Sequence, residues 1–414
     1  MAKTDNLTDF LVDVADAIRE KEDSTSAICP QEFNARIRAL ARLSEAEAVN
    51  YTNVSVLLKD IADTIREAEG SNEAINPQDF SERIRAISTD ESGVPLYIEA
   101  LEPITISFAN THQYSKDNST WSSGTSSTSV SASVGEKVYY RASDLTASTS
   151  VGIGAFTISG NCNIGGNIMS MNDGENFIGK ITLSKSDAFR GLFLNQTNIL
   201  DASKLSLPAK TLSVSCYYSM FEGCSNLAKA PKLPAMNLAD KCYVKMFNLC
   251  KSLVTAPALP ATIVKVSCYN TMFNECSSLV NVSDLPAMTM ADSCYSNMFQ
   301  RCISLVTAPA LPATILNTYC YNNMFLGCSK LKTAPILPAL TLVTNCYRQM
   351  IKDCPNVQYI KAMFLTTPSS TYMASWVNGV GSLGTFVKNS AATWSNAYGE
   401  NAIPSGWSVE TASE

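Results

Sequence analysis

The stretch KCYVKMFNLCKSLVTAPALPA (241–261) decides the fold, because its pattern returns along the chain at a fixed step, as at Cys242, Cys268 and Cys294. The unit is C-Y-x-x-M-F-x-x-C-x-x-L-x-x-A-P-x-L-P-A followed by six variable residues, and it is repeated six times between residues 216 and 354. A period of this length is typical of a repeat architecture whose units bury their apolar faces against one another.

Each unit predicts a short helix followed by a short strand. Cys242, Met246 and Cys250 recur every four residues, which places them on one face of a helix turn. Pro257 and Pro260 prevent the helix from continuing and favour an extended segment. We therefore expect a leucine-rich-repeat solenoid over residues 191–360, with stacked strands and a β cap over 361–414.

The chain has 14 cysteines, of which 12 lie in the repeats. A short interval and a long one alternate along them, as from Cys242 to Cys250 and on to Cys268, without the close Cys or His pairs that a zinc site needs. The sequence thus predicts no metal and no cofactor, and a buried ladder of free thiols, with oxidation after release from the cell left open. The ladder consists of Cys216, Cys242, Cys268, Cys294, Cys320 and Cys346, and of Cys224, Cys250, Cys276, Cys302, Cys328 and Cys354.

A second repeat lies at the N-terminus, where residues 6–40 match residues 53–87. Apolar residues at helical spacing, with Pro30 or Pro77 opening the second helix, predict a helix–loop–helix in each copy, over 1–42 and 43–92. Residues 93–190 combine β-forming segments with Gly, Ser and Asn turns and predict a β-sandwich-like domain. Its segment 118–134 is either a linker or a β-hairpin. The expected class is multidomain α+β.

Composition excludes several classes of function. The net charge is −6 without a basic cluster, so we expect no nucleic-acid partner. The N-terminus lacks a signal peptide, and no apolar run is long enough for membrane insertion, so synthesis in a cytoplasm is expected. His112 is the single histidine, which removes most Ser-His and Cys-His schemes, and we expect no enzyme. A pair of carboxylates is all that a glycosidase needs, so a glycan-processing enzyme stays open.

The repeat resembles the BspA-like leucine-rich repeats of surface proteins from gut Bacteroidetes and their bacteriophages. The resemblance is carried by CYYSMFEGCSNLAKAPKLPA (216–235) and its copies, by residues 166–189, and by TFVKNSAATW (385–394) and AIPSGWSV (402–409). It covers about residues 130–410. The N-terminal pair resembles modules of phage tail and fibre proteins, over a shorter and less specific stretch.

The resemblance implies a structural protein of the virion surface, a head or tail fibre. Its N-terminal helices would anchor to other virion proteins, and its solenoid would bind a host surface protein or glycan, in a homo-oligomer. A bacterial surface or secreted adhesin is the alternative. The binding residues expected on the outward strand face are Lys229, Thr255, Asn281, Thr307 and Thr333.

The tyrosine that follows the first cysteine of each unit has two interpretations. Six tyrosines at the step of the repeat are either a sugar-binding stripe or, as we expect, a packed spine of the core. They are Tyr217, Tyr243, Tyr269, Tyr295, Tyr321 and Tyr347.

Overall fold

The structure is a computed structural model that describes residues 93–142 and 154–412, together with the single buried helical residue Ala62. The chain consists of two compact units, 1–90 and 91–414. The helix–loop–helix pair predicted over 1–42 and 43–92 lies outside the described residues, Ala62 excepted. The fold that follows is that of the second unit.

Twelve strands and two short helices form the regular secondary structure of the described residues. The helices are α1 (Ser170–Asp173), which a 3-10 turn (Gly174–Asn176) follows, and α2 (Ser370–Met373). The strands are β1 (Tyr97–Ala100), β2 (Ile104–Phe108), β3 (His112–Ser115), β4 (Ser122–Gly124), β5 (Ser129–Ala132), β6 (Lys137–Ala142), β7 (Phe156–Ile158), β8 (Cys162–Asn167), β9 (Ile199–Ser206), β10 (Tyr359–Ala362), β11 (Thr385–Lys388) and β12 (Ser408–Thr411).

The first nine strands make two sheets. The larger has the order β4-β3-β6-β1-β8-β9, and the smaller has the order β5-β2-β7. Pairing is antiparallel except between β8 and β9, which run parallel. Segment 118–134 is not a linker, and its strands β4 and β5 do not form a hairpin with each other, since β4 pairs with β3 and β5 pairs with β2 in different sheets.

The prediction of an α+β protein with a leucine-rich solenoid is wrong for the described residues. Residues 93–142 and 154–412 contain only two α-helices of four residues each, and none of their three sheets is closed or forms a solenoid. Between β9 and β10, the repeats contribute isolated bridges such as Thr255↔Asn281 and no strand. Proline explains part of this result, because a residue without an N–H cannot donate to a ladder.

The predicted helix turn of each unit is a run of turns instead. The amides of Tyr243 and Phe247 donate to carbonyls of the next repeat, at 2.9 and 3.0 Å. The amides of Met246 and Cys250 donate to carbonyls three residues back, at 3.2 and 3.1 Å. Alternate amides therefore bind the next repeat and the residue's own turn, which an α-helix does not do.

Left-handed backbone breaks any helix in this segment. Positive φ angles return at every fourth residue: Lys241, Lys245 and Leu249. Non-glycine residues adopt this conformation at a cost, so the hydrogen bonds to the neighbouring repeat must hold it in place. The same four-residue period puts the cysteines and methionine on one face, as a helix would.

Consecutive repeats lie on one another through two columns of stacked rings. The tyrosine rings are separated by 5.6–5.9 Å and are at most 2% exposed. The phenylalanine column has centroid distances of 5.4–5.7 Å. Its members are Phe193, Phe221, Phe247, Phe273, Phe299 and Phe325. Such distances suit aromatic pairs, which add to the free energy of burial.

The second cysteine of each unit bonds the column of phenylalanines to the layer above it. The Cys276 thiol donates to the Phe247 carbonyl at 3.1 Å, and Cys250 donates in the same way to Phe221. The bond recurs in all six units at 3.0–3.1 Å. A small apolar side chain with a weak donor is what this position requires.

Removing one hydroxyl from the tyrosine column should stabilise the protein. The Tyr295 hydroxyl is buried without a hydrogen-bond partner, which leaves its desolvation uncompensated. We expect Tyr295→Phe to raise the free energy of unfolding by about 1 kcal/mol. Tyr295→Ala should lower it by about 3–5 kcal/mol because it leaves a cavity. Denaturant titration of both variants measures the difference, and a destabilised Tyr295→Phe would contradict the expectation.

Candidate functional site

The five residues predicted to bind lie on one exposed row of the repeat stack. All five are exposed. Two pairs form parallel bridges between neighbouring layers, Thr255↔Asn281 and Thr307↔Thr333, and Lys229 forms a third with Asp201. Because layers follow one another in chain order, as the ring columns show, these bridges align the five positions. We call them, with Asp201, the polar row.

The row is polar and almost neutral. The Asn281 side-chain amide donates to the Thr255 hydroxyl at 3.2 Å, so neighbouring layers are also joined at the surface. Lys229 Nζ lies 3.1 Å from a carboxylate oxygen of Asp201. Partial burial raises the pKa of Asp201, but hydrogen bonds from Ser203 and the ion pair with Lys229 outweigh it and lower that pKa. The two charges thus neutralise each other at one end.

Sequence reasoning missed the residues at which the row continues. Tyr359 in β10 pairs with Thr385 in β11, which in turn pairs with Ser408 in β12. The amide of Ala334, the residue after Thr333, donates to the Tyr359 carbonyl at 3.3 Å. One further repeat length after Thr333 leads to Tyr359, and a second leads to Thr385. The repeat spacing alone could therefore have predicted these two residues. The shorter step to Ser408 carries no such signal.

Two apolar grooves run beside the row where the A-P-x-L-P segments meet. The first, of about 850 Å³, separates residues 228–234 from residues 254–260 and is bordered by Lys229 and Thr255. The second, of about 560 Å³, separates residues 308–312 from residues 335–338. Proline lacks the amide that would join these segments, so the layers stay apart.

One layer between the grooves is different. Its sequence NVSDLP (281–286) replaces the alanine and proline of the other units. The Asp284 carboxylate accepts a hydrogen bond from the Ala310 amide at 2.7 Å and lies at the rim of the second groove. The groove system is therefore interrupted near the middle of the stack.

The histidine lies in the interior of the first two sheets. His112 is 1% exposed and packs against the rings of Phe108 and Tyr140. Burial lowers its pKa, and a 2.8 Å hydrogen bond between Nδ1 and the Asn110 carbonyl opposes this effect. A neutral ring without access to solvent is poorly placed to exchange protons with a substrate.

The repeated tyrosines and cysteines are core residues. The tyrosine column is buried, which leaves no stripe of rings for a sugar. Burial raises the pKa of the Cys216 thiol to about 11 and that of Cys242 to about 12. Thiols in this range are not ionised near neutral pH and are weak nucleophiles. Residues 93–142 and 154–412 hold no cluster of three or more His, Cys, Asp or Glu suited to a metal ion.

Comparison with models of known protein families, with curated proteins and with solved structures found no match to this chain. Among the described residues, no helix is long and apolar enough to cross a membrane.

The buried thiols should be unreactive in the folded protein. In a Cys29→Ser variant, the 13 cysteines that remain are all buried. We expect almost no reaction with Ellman's reagent at pH 8, because the reacting thiolate is scarce and inaccessible. Addition of guanidinium should release 13 thiols. Reaction of several thiols within minutes in the native state would show that the stack opens or that the layers are misplaced.

Proposed function

We propose that the protein is an adhesion protein and that the polar row, with the grooves beside it, is its binding surface. The single observation behind this proposal is that exposed polar side chains stand in line on a frame of buried residues that does not vary. Every unit supplies the same buried cysteine and tyrosine, while the row presents lysine, threonine or asparagine.

The chemistry of the row favours a polar and uncharged ligand. Threonine and asparagine side chains donate and accept hydrogen bonds, and Lys229 is neutralised by Asp201. The grooves beside the row offer apolar walls of alanine and proline. A glycan has hydroxyl groups and apolar ring faces, and an extended peptide has amides and apolar side chains. Contacts repeated along the stack would sum even where each is weak.

We further propose that the protein acts on the surface of a bacteriophage particle, as a head or tail fibre. This setting is supported by the resemblance of the repeats to BspA-like surface proteins. Residues 1–92 would anchor the chain to other virion proteins, and the row would bind a surface protein or glycan of the host.

Electron microscopy of phage particles tests the setting directly. Gold-labelled antibody raised against residues 200–360 should label heads or tails, since a fibre is a component of every particle. Unlabelled particles together with labelled host envelopes would discard the virion proposal and support a bacterial adhesin.

Charged substitutions in the row should weaken binding to cells. We expect Thr255→Glu with Thr307→Glu to reduce binding of the labelled protein to intact Bacteroidetes cells by at least about tenfold, because buried charges without partners oppose association. Asn226→Glu with Ser329→Glu, which adds the same charge at exposed positions off the row, should leave binding unchanged. Equal binding by both variants would exclude the row as the adhesive surface.

A further inference from the structure

A second exposed face follows the last five of the six L-P-A sequences, and Lys210, which follows the first at 207–209, bounds it with an exposed charge. In five consecutive layers the two residues after the alanine are exposed, and we call these ten residues the corner face. They are Met236 and Asn237, Thr262 and Ile263, Met288 and Thr289, Thr314 and Ile315, and Leu340 and Thr341. None of them is charged, although charged residues are common on protein surfaces and rare in the centre of interfaces.

Large apolar side chains alternate between the two sides of this face. The apolar residue comes first in three layers (Met236, Met288, Leu340) and second in the two layers between them (Ile263, Ile315). Asparagine or threonine fills the other position of each layer. The alternation follows a period of two layers, and SLVTAPALPATI occurs identically at 252–263 and 304–315.

The face is continuous and almost flat. Thr289 pairs with Ile315 as a parallel bridge, and the Thr314 amide donates to the Met288 carbonyl at 3.1 Å. From Tyr243 to Tyr347 the stacked rings are tilted by 2–10° between neighbouring layers, so successive layers rotate little. The apolar side chains are well exposed, at 67% for Ile263 and 59% for Ile315.

We propose that the corner face binds a second copy of this chain, side by side and parallel, about a two-fold axis that runs along the stack. Such an axis exchanges the two sides of the face and keeps each layer at its own height. Every large apolar side chain then lies opposite an asparagine or threonine of the same layer in the partner. A two-fold interface requires this kind of self-complementarity.

An antiparallel pair would fit less well. In an antiparallel pair the two-fold axis is perpendicular to the stack. Large residues then lie opposite small ones only if this axis passes between two layers. With five layers, one layer would then remain unpaired. A parallel pair matches all five and brings the same ends of both chains together.

The extent of the face suits a dimer better than a monomer. Its five apolar side chains, with Leu365 beyond one end at 40% exposure, form an unusually long apolar stripe, which ends at Lys210 on the other side. It amounts to on the order of 600 Å², at the upper end of patches on monomers. The flanking threonines bring it toward the ~800 Å² per partner of a standard interface. A second copy of this chain has the same alternation of large and small residues over successive layers and is therefore complementary to it, which is not expected of an unrelated partner.

Sedimentation velocity of the full chain tests the association. We expect wild-type dimers at micromolar concentration and a dissociation constant raised by at least about tenfold in Ile263→Asp with Ile315→Asp. Ile303→Asp with Val214→Asp places equal charges on similarly exposed apolar residues outside the face and the grooves, at 46% and 44%, and should not change it. Circular dichroism and thermal melts show that the variants are folded, as surface changes should allow. A monomeric wild type at about 100 μM, or face variants that associate like the wild type, would overturn the proposal.

Cross-linking tests the parallel arrangement. The 13 described cysteines are buried, so Met236→Cys in a Cys29→Ser background adds one exposed thiol near one end of the face. A short bis-maleimide should join two such chains, because the two-fold axis holds residue 236 beside its copy. In an antiparallel pair about the middle layer, residue 236 would lie near 340 of the partner. Association without this cross-link, and with one between Met236→Cys and Leu340→Cys chains, would overturn the proposed geometry.

Discussion

The division of amides between two kinds of acceptor is the constraint on which the repeat stack depends. Within the run of turns, one amide joins the next layer and the following amide closes its own turn. Buried backbone groups are thereby satisfied without a helix or a sheet. Each layer must then place the same side chains at the same points. The first pair of stacked phenylalanines, Phe193 and Phe221, illustrates this requirement. The two residues are further apart in sequence than the later pairs, but the extra residues lie outside the run of turns, and the distance between the ring centroids is still 5.4 Å.

The sequence predicted the repeats' interior better than their backbone. The step of the repeat was enough to place Cys250 and Tyr243 in the core and Thr255 at the surface, because burial follows from the pattern of side chains. The helix predicted from Cys242, Met246 and Cys250 was wrong, since a four-residue period fits a helix and a chain of left-handed turns equally well. Positive φ at Lys245 has no sequence signal, because it is imposed by the neighbouring layer.

The supply of backbone hydrogen-bond donors also determines the shape of the candidate site. Proline in the A-P-x-L-P segments keeps layers from pairing there, so the grooves arise from missing donors and not from an inserted loop. Thr255 and Asn281 lie just before these segments, where one bridge still joins the layers. The sequence predicted the row but not the grooves, because the gap depends on the distance between layers. The continuation of the row at Tyr359 was not predicted, because the cysteines that mark the repeat end at Cys354 although the spacing of the repeat continues beyond them.

The hydrogen bonds between layers have a mechanical consequence. These bonds point along the stack. A pull on the two ends would therefore be shared by all the bonds at one boundary between layers, and every boundary would bear the same full force. If the stack acts as a tether under load, the force at which it ruptures is the force that breaks its weakest layer boundary, whatever the number of layers. Adding repeats would lengthen the tether without strengthening it, and a single poorly joined layer would act as the point of rupture.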